Sequence, residues 1–182
     1  DYFQKQYGAN NINIVLSGKL DEKIKKSAKD KFSLLEEKDI IKEKPAKIEQ
    51  SEPQINSKYQ KNEQVNLSLG VHALALEDKD EFVLKLISTI LGGSMSSRLF
   101  SRVREKEGLA YYVKTETETY VDAGYLTTEA GVKPSNELKT IQIILEEYQR
   151  LTEELVPKEE LDRNKEMIKG RLSLKLETSD DI

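Results

Sequence analysis

The chain has 182 residues, with 29 Lys and Arg against 33 Asp and Glu for a net charge of -4, no cysteine and a single histidine, His72. The charge balance supplies no basic field for nucleic acid, and the lack of cysteine excludes a disulfide framework, a thiolate metal site and a cysteine nucleophile. With a mean hydropathy of -0.63 and no apolar run as long as a membrane span, the chain is expected to be soluble, with no membrane partner.

The length suits a single domain able to bury its own core, so one α+β domain over residues 1–182 is expected. The opening segment "DYFQKQYGANNINIVLSG" has neither a basic n-region nor an apolar h-region. No initial methionine is present, so a piece of a longer chain is expected, and the expected location is cytoplasmic.

Ile12, Ile14 and Leu16 alternate with Asn11, Asn13 and Val15 before Ser17-Gly18, which predicts a first strand. A helix is predicted over Asp21 to Leu35, with Ile24, Ala28, Phe32 and Leu35 as its apolar stripe. Residues 36–59 turn to Lys, Glu, Gln and Ser around Pro45 and Pro53, the composition of a linker or a long surface crossing. The clearest strand is "QVNLSLGVHALA": Val65, Leu67, Leu69, Val71 and Ala73 form a core face, and Gln64, Asn66, Ser68, Gly70 and His72 a wet one.

The period then changes. Phe82, Val83, Leu86, Ile87, Ile90 and Leu91 trace a helix with Asp78 and Glu81 as an N-cap pair and Gly92-Gly93 as its end. A second helix, about Ser96 to Lys106, carries Met95, Leu99 and Val103 and stops at Gly108. Tyr111 to Thr119 and Gly124 to Ala130 read as an antiparallel pair across "YVDA". Pro134-Ser135 opens a helix with Leu138, Ile141, Leu145, Tyr148 and Leu151 in register, and Pro157 opens another with Leu161, Ile168, Leu172 and Leu176. The order points to α+β architecture, an antiparallel sheet with helices packed on one face.

Little of the chemistry stands out residue by residue. "LGGSMSS" precedes a helix, but the Walker lysine and the dinucleotide glycine spacing are absent, so a helix end and tight turn is the better reading than a phosphate cradle. Ser94, Ser96 and Ser97 have no base nearby and read as caps. His72 lacks the two further ligands that zinc requires. The carboxylates of "EEYQRLTEELVPKEELD" and "TETETY" read as solvated faces, as does Arg102. "VREKEGLAYYV" sets Arg104 and Tyr111 seven residues apart across a Gly-Leu turn, several donors with no strong acceptor, which suits a developing oxyanion or a backbone carbonyl but is also compatible with surface charge and an ordinary strand tyrosine.

"ILGGSMSSRLFSRVREKEGLAYYV" resembles the signature of the second, non-zinc domain of the insulinase/pitrilysin (inverzincin) family of zinc metallopeptidases, which includes the mitochondrial processing peptidases. "YGANNINIVLSGKLDEKI" and "VPKEELDRNKEMIKGRLSLKLET" are similar to the family's opening strand-helix and its late helix, so the resemblance covers nearly the whole chain. The family's inverted His-x-x-Glu-His zinc motif is missing. The resemblance therefore implies a substrate-clamping partner domain of a zinc metalloendopeptidase, inactive alone, with no cofactor in this chain and zinc in a missing N-terminal domain or a partner subunit. It implies that Arg104 and Tyr111 reach the substrate at a site completed by that other domain. Asn66, Ser68 and His72 are expected to border the chamber and contact unfolded peptide. The alternative it leaves open is a catalytically silent structural or partner subunit of the same family.

Overall fold

The computed structural model describes residues 2–175, so the predicted stripe position Leu176 lies outside the described residues. These residues cluster into two compact units: a smaller one running to Pro45 together with residues from Arg171, and a larger one, Ala46–Gly170.

The smaller unit contains α1 (Tyr2–Gln6), a 3-10 turn (Ala9–Asn11) and α2 (Glu22–Phe32). Asp21 starts α2 as predicted, its Oδ1 accepting from the Ile24 N–H at 2.8 Å. The strand predicted over Ile12 to Leu16 does not form. Ile12 is extended (φ -125, ψ 123), but the segment makes no ladder with any described strand, and Val15 is 79% exposed. Alternation supplies one requirement of a strand; a neighbour to accept its backbone hydrogen bonds is the other. Residues 36–59 carry neither helix nor strand.

The larger unit is built on β1 (Val65–Ala73), β2 (Ala110–Thr119) and β3 (Gly124–Val132), all antiparallel in the order β1-β3-β2. Val65, Leu67, Leu69 and Ala73 of β1 turn inward as their alternation predicts, opposite Val132, Ala130, Thr128 and Gly124 of β3. The helices α3 (Glu81–Gly92) and α4 (Glu137–Glu153), the π-helix Phe100–Lys106 and α5 (Lys158–Lys175) as far as Gly170 complete the order, and α3 and α4 pack on the sheet. The core joins Leu91, Leu99, Val103, Val113, Leu126, Ala130, Val132, Ile143 and Ile144. A chain of buried hydroxyls crosses it: Thr115 Oγ1 to Thr128 Oγ1 at 2.8 Å, and Thr128 Oγ1 to Tyr148 Oη at 2.8 Å. Burial raises the Tyr148 phenol above its ordinary range.

Two helical readings are corrected. Asp80 is the residue before α3, and Asp78 instead accepts the Asp80 N–H at 2.9 Å in an Asx turn. In α4 the inward face is Thr140, Ile143, Ile144 and Glu147, while Leu138 and Leu145 of the predicted stripe are 81% and 51% exposed. Tyr148 and Leu151 of that stripe do pack against the core, and polar side chains with partners take inward positions beside them. Among the described residues no helix is long and apolar enough to cross a membrane.

Candidate functional site

The glycine pair at the end of α3 is a packing device. A Cβ on Gly92 would collide with the Thr115 amide and hydroxyl and lie 2.9 Å from the Lys114 carbonyl carbon, so glycine lets α3 approach the backbone of β2. Gly93 closes the helix by donating its N–H to Thr89 O at 3.0 Å. The serines hold the following turn instead of capping helix amides: Ser97 Oγ donates to Ser94 O at 2.6 Å, and the Ser94 and Ser96 hydroxyls lie 3.1 Å apart.

The π-helix follows. Glu107 N–H reaches Arg102 O at 3.2 Å, the wide spacing of a π turn, and such turns recur at functional sites. Gly108 then takes a left-handed conformation (φ 59) and the Leu109 N–H returns to Val103 O at 2.9 Å, which reverses the chain into β2. Leu99 and Val103 anchor this segment in the core. Arg104, next to Val103, is exposed, with its guanidinium 5.0 Å above the Phe100 ring centroid. That cation–π contact contributes about 0.5–1 kcal/mol at an exposed position and restricts where the guanidinium swings.

Tyr111 occupies a β-bulge. Ala110 pairs with Val132 and Tyr112 with Gly131, so Tyr111 is the extra residue that has no opposite number on β3. Between buried Ala110 and Val113, both tyrosines consequently leave the core, and Tyr111 is 52% exposed. Neither the Arg104 guanidinium nor the Tyr111 phenol has a hydrogen-bond acceptor among the described residues. Both donors are presented, one at the end of the π-helix and one at the start of β2, with the Gly108 turn between them.

The outward face of the sheet is built in cross-strand rows. Asn66, Gly131 and Tyr112 share one, Ser68, Glu129 and Lys114 the next, Gly70, Thr127 and Glu116 the third, and His72, Tyr125 and Glu118 the last. Ser68 and His72 are exposed. Asn66 is committed within the protein: its Oδ1 accepts from Gln64 Nε2 at 3.1 Å and from the Tyr112 hydroxyl at 3.3 Å. Lys114 lies 2.8 Å from Glu116 and 3.2 Å from Glu129, and these contacts raise the pKa of its ammonium.

A second constellation was not legible in the sequence. Arg98 donates from Nε and Nη2 to both oxygens of Glu160 at 2.8 and 2.7 Å. Arg102, read as solvated, pairs with Glu146 and donates from Nη1 to Glu147 at 3.0 Å, and Arg150 donates from Nη1 to Glu147 at 3.1 and 3.2 Å. Glu147 is 2% exposed, so "EEYQR" is no solvated face. The carboxyl of Glu160 is held below its ordinary value, chiefly by its hydrogen bond from Arg98, and Arg98 is raised by the same bond. An open cleft of about 540 Å³ runs along these pairs between Ser96 and Glu160. Its lining cations, Arg98, Arg102, Lys106 and Arg150, are balanced by Glu107, Glu147, Glu154 and Glu160, so it presents no net charge to a ligand.

Among the described residues no three His, Cys, Asp or Glu side chains come together as a metal site, so the residues present do not fit a catalytic zinc. Residues 1–168 match the family model described as the peptidase M16 inactive domain. The chain is 37% identical over 117 residues to an uncharacterized zinc protease of Streptomyces coelicolor, covering 64% of this chain and 26% of that protein. It is 32% identical over 172 residues to an uncharacterized zinc protease of Rickettsia bellii, covering 93% of this chain and 41% of that protein. The chain thus spans well under half the length of these relatives. The structure is similar to that of a peptidase M16 inactive domain from Pseudomonas fluorescens, with a TM-score of 0.72, 25% identity, and 92% of this chain and 41% of the other covered. The resemblance carried by Leu91 to Val113 is thereby borne out: this chain belongs to the peptidase M16 family, as its inactive domain.

Proposed function

We propose that this chain is the zinc-free, substrate-clamping wall of a metalloendopeptidase, with the zinc held by another domain or by a partner subunit. The observation that carries the reading is that Arg104 and Tyr111 are both solvent-facing donors with no acceptor among the described residues, set on two irregular backbone features, a π-helix and a β-bulge. Such irregularities cost backbone regularity and are favoured where a side chain must be aimed. In the assembled protein the Tyr111 hydroxyl and the Arg104 guanidinium donate to the oxygen of the scissile peptide carbonyl as its negative charge develops. The outward sheet face, with Ser68 and His72 open and Asn66 at its end, borders the path of unfolded peptide, and main-chain pairing along the free edge of β1 gives broad sequence tolerance.

Kinetics of the complete, zinc-bearing protein test this. Tyr111→Phe and Arg104→Ala should each lower kcat by on the order of 10²–10³, about 3–4 kcal/mol, with little change in KM. Because Arg102 is an ion-pair residue, the control is the exposed Glu105→Gln, which should match wild type. Full activity in Tyr111→Phe would refute the donor role. A complete assembly with no peptidase activity would move the chain to the silent-subunit reading.

A further inference from the structure

The proposed role of Tyr111 raises the question of what holds it in place, since the bulge removes it from the hydrogen-bonding register that fixes its neighbours. We infer that Tyr112 and Gly131 form a ring-on-glycine clamp that fixes the β2 bulge and so positions Tyr111. The inference rests on the reading of Tyr111 as a donor and concerns residues that do not touch substrate themselves.

Gly131 lies in the central strand of the sheet, where glycine is disfavoured by its backbone entropy and lack of packing surface. It faces outward, yet it is buried, because the Tyr112 ring lies across it. A Cβ at Gly131 would collide with Cε1 of Tyr112, lie 2.8 Å from Cδ1 and stand 3.1 Å from Gln64 Oε1. The ring therefore occupies the space that any other residue at position 131 would fill. Its hydroxyl donates to Asn66 Oδ1 on β1 at 3.3 Å, so the ring spans the sheet from β2 across β3 to β1.

The consequence for Tyr111 is geometric. Tyr112 is the first residue of β2 after the bulge, and its pairing with Gly131 sets where the shift in register falls. With the ring seated, the extra residue is Tyr111 and its side chain leaves the core. With the ring displaced, the shift is free to move along the strand. Because side-chain direction has a period of two, a one-residue move turns Tyr111 toward the other face. The seating contact is apolar and spread over the ring, while the Asn66 contact is long and lies on an exposed face, so the ring is the working part and the hydroxyl is secondary.

The test compares Gly131→Ala, Tyr112→Ala and Tyr112→Phe with Tyr111→Phe in the complete zinc-bearing protein. Gly131→Ala and Tyr112→Ala should lower kcat at least tenfold with KM within about twofold. Tyr112→Phe, which keeps the ring, should retain at least half of the wild-type kcat. In a Tyr111→Phe background, neither Gly131→Ala nor Tyr112→Ala should lower kcat further, because the group they position is already gone. Wild-type kcat in Gly131→Ala alongside a depressed Tyr111→Phe would overturn the clamp and leave the donor intact. A wild-type Tyr111→Phe would instead overturn the donor reading. Losses in Tyr112→Ala that add in full to those of Tyr111→Phe would mark a purely structural effect and also overturn the clamp. If Gly131→Ala reduces the folded fraction, Tyr112→Leu is the second variant: it fills space without the flat ring and should reproduce the kcat loss.

Discussion

At the scale of single residues, Glu147 shows what composition conceals. In the sequence it belongs to a run of acids interspersed with lysine and arginine, and helical spacing makes a solvated face the natural reading. In the fold it is buried on α4 between Arg102 and Arg150, partners 45 and three positions away in the chain. A carboxylate so placed is tolerated only because both charges and hydrogen bonds are matched. Glu147→Ala should cost on the order of 2–3 kcal/mol, near the low end for a buried pair because Arg102 and Arg150 retain Glu146 and Glu154. The denaturant midpoint measures it, with the slope unchanged. A loss below about 0.5 kcal/mol would return Glu147 to the solvated class. Arg104 and Tyr111 differ in kind: only the family resemblance singled them out, and nothing in the sequence announced the Phe100 ring beneath one or the bulge beneath the other.

Whole elements were legible where one local signal decided them. The strand β1, the helix α3, the Gly108 stop and the β2–β3 pairing all appear where periodicity and turn chemistry place them, although Val71 of the predicted core face and Phe82 and Val83 of the predicted α3 stripe are exposed. Elements that depend on distant partners were not. The Ile12 to Leu16 segment has the pattern of a strand without a described neighbour, and α4 turns polar Thr140 and Glu147 inward because an asparagine carbonyl and two arginines satisfy them. The attachment of α5 belongs to the same group. Its Glu160 grips Arg98 in a two-bond pair with side chains only 16% and 11% exposed. Because the folded state depresses the Glu160 pKa, the pair's contribution is fully present above the ordinary glutamate value of about 4.3 and is lost as pH falls through the depressed value. Glu160→Gln should therefore be less stable than wild type at pH 7, and the difference should narrow as the pH falls below about 4. Thermal unfolding of both proteins across that range checks the sign. A gap that stays constant down to pH 3 would show that Glu160 contributes through packing instead of charge.

For the molecule as a whole, the sheet divides the labour. Its inner face carries the buried core and the hydroxyl chain; its outer face carries paired groups such as Lys114 and Asn66 beside the exposed Ser68 and His72, and Arg104 and Tyr111 are exposed on either side of the Gly108 turn. The family match spans nearly the entire chain, yet the matched residues cover only 26% and 41% of two of its relatives. The proposed division between donors here and a metal elsewhere has a definite consequence. A catalytic zinc needs three protein ligands in tetrahedral reach, and His72 stands on an exposed strand without a cluster of acids around it among the described residues. The 182-residue chain alone should therefore retain no stoichiometric zinc after dialysis against a mild chelator and should cleave no unfolded peptide, while its circular dichroism shows the mixed helix and sheet of the folded unit. Metal analysis, a peptide-cleavage assay and the dichroism spectrum on one preparation separate a folded, metal-free domain from an unfolded one. One zinc per chain, together with cleavage that a chelator abolishes, would mean that this chain carries a complete active site and would overturn the proposal that Arg104 and Tyr111 donate to a site supplied from elsewhere.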